Sequence, residues 1–88
     1  MKKLVSVIEV EGAGLESLLG KRVLLLCANY FYTGNLVGVN ETCVELEDPA
    51  IVYETGAWTN KGYQDEQKLH VKTFYVQTSM IESFGASK

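Results

Sequence analysis

Apolar and polar residues alternate through much of this chain with the two-residue period of half-buried strands, and breaks in the alternation mark its turns. In Leu4–Glu11, Ile8 and Val10 oppose Glu9 and Glu11, which predicts a first strand ended by Gly12-Ala13-Gly14. Leu15, Leu18 and Leu19 recur at helical spacing, with Glu16 in the first turn and Gly20 placed as a C-terminal cap. This predicts a helix of about two turns. So short a helix is unstable alone, and its leucines have to cover something, most simply the open end of a barrel.

Val23–Cys27 is apolar on both faces, as in a strand covered on both sides. A tight reversal at Ala28-Asn29 leads into Phe31–Val39, where Gly34 and Gly38 allow strong bending or close backbone approach. Val39–Thr42 connects to a half-exposed strand, Thr42–Glu47, and Pro49 marks an edge, bulge or bend before the β-like run Ala50–Thr55. Gly56–Lys68 is polar and glycine-containing and reads as a long protruding hairpin loop. Its Trp58 and Tyr63 either pack within the loop or serve as exposed contacts. Leu69–Val76 alternates again, Gln77–Ser79 is a turn, Met80–Phe84 is a last short strand and Gly85–Lys88 is a tail. The order is a strand, a helix and five further strands, the pattern of one small, strongly bent, antiparallel all-β barrel over residues 1–88.

The 88 residues carry a formal net charge of −3, with the positive charges scattered in pairs at best, which argues against tight phosphate-driven binding. Cys27 and Cys43 each sit in an apolar strand pattern without CxxC spacing and read as buried thiols rather than a disulfide or metal pair. Glu9 and Glu11 interrupt the N-terminal apolar residues and no run is long enough to span a bilayer, so the expectation is a soluble, cytoplasmic protein without a membrane partner. His70 has no nucleophile or carboxylate placed beside it by sequence and reads as a surface or interface residue. Glu45, Glu47 and Asp48 alternate or sit at a bend and read as a solvated face, not a metal site. Neither a catalytic residue nor a cofactor is expected, and the chain is not read as an enzyme.

Gly20-Lys21-x-Val23-x-Leu25-x-Cys27 and Tyr32-x-Gly34-x-Leu36, with the helix leucines before them, resemble the first motif of the Sm/LSm family, which includes the bacterial Hfq branch. Asn40 stands where that motif has an aspartate. Phe74–Ile81 occupies the place of the second, shorter motif. The resemblance spans Leu15 to Phe84, with residues 14–48 and 69–84 matching the two motifs, an N-terminal extension over 1–13 and a long loop over 56–68. It implies a five-stranded, SH3-like open barrel capped by a short N-terminal α-helix. It also implies a homo-oligomeric ring of about five to seven copies, closed head-to-tail through two strand edges. The edges fall on Leu69–Val76 and Met80–Phe84, with Leu69, Val71, Phe74, Val76, Met80 and Ile81 as interface residues.

The family binds uridine-rich RNA at the inner rim, using a stacking side chain, an Asn and an Arg. Thr42, Val44 and Gln77-Thr78 stand at those positions here. The candidate RNA-binding rim is therefore Asn40, Glu41, Thr42, Gln77, Thr78 and Ser79, polar and without an aromatic face, with Asn40 either reading a base or bracing its loop. Tyr30 and Phe31 are a second candidate, as a base-stacking platform or as packing residues. Two functions remain open: a ring that binds single-stranded RNA, and a structural or protein-interaction ring that has lost uridine recognition.

Overall fold

Curvature in this molecule comes from its second strand. The computed structural model describes residues 14–88; the expected strand over residues 4–11 lies outside them. The strands are β1 (Arg22–Cys27), β2 (Phe31–Val39), β3 (Cys43–Glu54), β4 (Asp65–Lys68), β5 (Thr73–Gln77) and β6 (Ile81–Ala86). The register between β2 and β3 shifts twice, between Thr33 and Asn35 and between Leu36 and Gly38. A Cβ on Gly34 would lie 2.9 Å from Leu46 Cβ, and one on Gly38 would lie 3.2 Å from Glu45 Oε1. The two glycines let the strands close up where the ladder slips, which bends the sheet.

The six strands form one open antiparallel sheet in the order β4-β3-β2-β1-β6, with β5 also on β3. β3 serves two partners along its outer edge. Its residues from Cys43 to Glu47 pair with β5, and those from Ala50 to Glu54 pair with β4. Between the halves, Asp48 has φ 50 and Pro49 is fully buried. Opposite that bend the Leu69 N–H donates to Pro49 O at 3.0 Å, and His70 has φ 57.

Three expectations change accordingly. Thr42–Glu47 and Ala50–Thr55 are one bent strand. Gly56–Lys68 is not wholly loop, because Asp65–Lys68 pairs with β3. The strand expected over Leu69–Val76 starts only at Thr73, so Leu69 and Val71 precede the β5 edge. Their alternation with His70 and Lys72 continues the strand pattern, but the left-handed backbone at His70 interrupts the extended chain.

Val23, Leu25, Cys27, Leu36, Val44, Leu46 and Val76 form the core, with Leu15, Leu18, Tyr32, Val39, Phe74 and Ile81 packed against it. The leucine segment is a single 3-10 turn, Leu15–Leu18, in place of the expected two-turn α-helix. Leu15 and Leu18 reach the core at a spacing of three, which that tighter helix satisfies equally, while Leu19 is left exposed. Gly20 follows in the left-handed region (φ 84) and donates its N–H to Leu36 O at 2.7 Å. At the other end, Thr78–Met80 is a second 3-10 turn, and β6 continues past Phe84 to Ala86. The expected tail is tied down as well: the Ser87 N–H donates to Arg22 O at 3.0 Å.

A polar cluster spans β1 to β4 near the β3 bend. Arg22 donates to Thr33 Oγ1 (3.2 Å) and Asp48 O (3.0 Å), and the buried Thr33 hydroxyl donates to Glu66 Oε2. Arg22 also lies 3.6 Å from the Asp48 carboxylate and 3.8 Å from that of Glu66, and Lys68 lies 3.3 Å from Asp48.

Candidate nucleic-acid interface

The β2–β3 connection and the Thr78–Met80 turn are far apart in sequence and meet at one end of the sheet. Pairing of Cys43 with Gln77 brings them to the same level. The Thr78 N–H donates to Thr42 O at 2.9 Å, and the Thr78 hydroxyl donates to Glu41 O at 2.8 Å. Asn40 braces its own loop. Its side-chain oxygen accepts from Thr42 N (2.8 Å), the Thr42 hydroxyl (3.0 Å) and Cys43 N (2.9 Å), an Asx-type turn. That oxygen is fully engaged, so the side chain has only its amide N–H groups to offer a base.

Glu41, Thr42, Gln77, Thr78 and Ser79 line one shallow cleft of about 550 Å³. Five of the six rim residues expected from the sequence are therefore brought together in the cleft, and exposed Asn40 braces their loop without lining it. The cleft also contains Tyr75, which is 60% exposed. An aromatic face is present at a rim expected to have none. The strand period shows why: Val76 points into the core, so Tyr75 and Gln77 point out together. The two-residue spacing of Tyr75 from Gln77 is the sequence signal that could have found it.

Tyr30 and Phe31 lie at the opposite end of β2 from Asn40. Phe31 is half-buried and pairs with Val52. Tyr30 stands edge-on to Tyr53 (6.3 Å, 87°) and Tyr32 (6.4 Å, 62°), so it packs among aromatic rings while staying partly exposed. A second cleft, of about 270 Å³, joins the two ends: Tyr30, Tyr32, Phe74 and Met80 line it, together with Tyr75 and Gln77. Tyr75 thus borders both clefts.

Of the expected interface residues, Phe74 and Ile81 are half-buried against the core, Val76 is buried and Met80 is exposed at the end of its 3-10 turn. Among the described residues β5 pairs only with β3 and β6 only with β1, so each has one edge without a partner strand.

Burial pushes the Cys27 thiol up from its ordinary 9.0, and the Glu82 carboxylate adds to the shift. Tyr32, beside it, is raised from 10.0, chiefly by burial. Both cysteines are free thiols. Among the described residues no three His, Cys, Asp or Glu side chains converge as a metal site, and no helix is long and apolar enough to cross a membrane. No family model, curated protein or solved structure matches the chain.

Proposed function

We propose that copies of this chain close into an Sm-like ring by pairing β5 of one copy with β6 of the next, and that the rim around Tyr75 binds single-stranded RNA. The observation that carries the reading is the pair of edges on β5 and β6 that have no partner strand among the described residues, with an aromatic-lined cleft bordering β5. One free edge invites uncontrolled pairing, whereas two complementary edges on one subunit satisfy each other around a closed rotation. At the rim, Tyr75 offers a stacking face, and the Thr42, Thr78, Ser79 and Gln77 side chains offer donors and acceptors to base edges. The cleft lining includes no lysine or arginine, so stacking carries the affinity and salt weakens it little.

The test is the light-scattering mass of the pure protein with and without short oligo-U, at low and moderate salt. A mass of several subunits that rises with oligo-U supports the proposal, and Tyr75→Ala is expected to weaken that binding by roughly tenfold or more. A monomer would sink the ring. A second reading, a structural or protein-interaction ring, is favoured by Glu41 as the one charged residue in the cleft lining. A ring whose mass is unchanged by oligo-U and by other single-stranded RNAs would establish that reading instead.

A further inference from the structure

We propose that the hairpin between β3 and β4 is a binding site for an unmethylated primary ammonium group, such as a lysine side chain, and that Lys88 of the same chain closes it. The Lys88 ammonium donates to three backbone carbonyls of the hairpin: Thr55 at 2.8 Å, Ala57 at 3.0 Å and Gly62 at 3.0 Å. It also lies 5.1 Å from the centre of the Trp58 ring and 4.9 Å from that of Tyr63. An ammonium has three N–H donors, and here every one has a carbonyl partner while ring faces stabilise the charge.

The hairpin holds this geometry largely by its own bonds. Ala57 O also accepts the Asn60 N–H (3.0 Å), Thr55 O accepts the Gln64 N–H (3.4 Å), and Gly56 takes the left-handed backbone (φ 69) that turns the chain. Two of the three carbonyls are thus positioned without the lysine. Lys88 is delivered by separate contacts: Tyr63 Oη lies 2.9 Å from Ser87 Oγ and accepts the Lys88 backbone N–H at 3.2 Å.

The chemistry selects among amines. Aromatic rings alone favour quaternary ammonium ions, but three converging carbonyls need three N–H groups, and each methyl removes one. The tethered Lys88 competes at an effective concentration on the order of millimolar, so the intact chain is closed to dilute ligand.

The test uses the full chain with n-butylammonium as probe and the emission of Trp58, its one tryptophan, as readout. Lys88→Ala is expected to give a saturable emission change, the intact chain to bind at least about tenfold more weakly, and n-butyltrimethylammonium to bind more weakly than the primary amine. No saturable change in Lys88→Ala, equal binding by the intact chain, or equal binding of the trimethyl probe would each overturn the proposal. If Lys88→Ala loosens the hairpin, acylation of the unaltered chain decides. Lys88 is expected to react several-fold more slowly than the exposed Lys61, with Trp58→Ala reducing the protection. Equal rates in the unaltered chain would show that the cage does not hold.

Discussion

Among the described residues, three strands of the sheet are paired on one side only, and they carry different kinds of side chain. β4 reads Asp-Glu-Gln-Lys, and its Glu66 and Lys68 are drawn into the charged cluster around Arg22 and Asp48. β5 and β6 instead bear Tyr75, 60% exposed, and Phe84, 43% exposed, with Met80 exposed in the turn between them. A charged edge resists joining another chain, because pairing would strip water from groups that gain nothing in return. β5 carries no charged residue and β6 only Glu82, so edges with exposed aromatic side chains have less of that protection. Under the proposed ring, the contrast assigns the joining edges to β5 and β6 rather than to β4.

The contrast is broken most directly at Phe84. Phe84→Asp is expected to reduce the assembled species to monomer by light scattering, while Gln67→Asp on β4 leaves its mass unchanged. If both variants keep the mass, the edge assignment fails. The bend of the sheet depends on Gly34, where even a Cβ would meet Leu46 at 2.9 Å. Gly34→Val is expected to cost about 1–3 kcal/mol in urea unfolding, as overpacked sites do. An unchanged midpoint would mean that the strands do not need their close approach.

On the charged side, Arg22→Ala removes the donor shared by Thr33 and Asp48 and leaves the Glu66 carboxylate short of its partner. These groups are partly exposed, so the expected loss is only about 1 kcal/mol, with the assembled mass unchanged. A fall in mass would tie the charged side to assembly. The smallest effect concerns Cys27, in the cleft beside β5. Its thiol is raised in the fold, so the unfolded chain gives up the proton first. Stability from this group is present below its ordinary 9.0 and is lost as pH rises through the folded value. A shallow decline in urea stability above that pH is expected for the parent, and Cys27→Ala should flatten it. A parent stability that rises there would contradict the sign.

Much of the frame was legible along the chain. The apolar run from Val23 and the stretch from Phe31 to Val39 mark β1 and β2 to within a residue. Gly34 and Gly38 mark the slips in register, and Pro49 sits at the bend of β3. The β4 strand was not legible, because Asp65–Lys68 has no apolar face and is held by backbone pairing and charge. The start of β5 is not legible, because alternation reports faces and is blind to the left-handed turn at His70. Of the candidate site, the rim loops are readable as turns and their residues as polar, and the spacing of Tyr75 from Gln77 puts both on one face, but that this face is the outer one depends on the packing of Val76 into the core.

Taken alone, the order of residues determined an all-β chain, the alternating faces of its strands and the places where it bends. These follow from local rules: the two-residue period of a strand, the freedom of glycine and the restriction of proline. Tertiary structure decided which described strands keep a free edge, how Thr78 is joined to Glu41 and Thr42 across the rim, and that Lys88 reaches three carbonyls from Thr55 to Gly62. The physical reason is that pairing and capture use backbone N–H and C=O groups that every non-proline residue carries. Such groups leave no mark in a sequence until the fold brings them together.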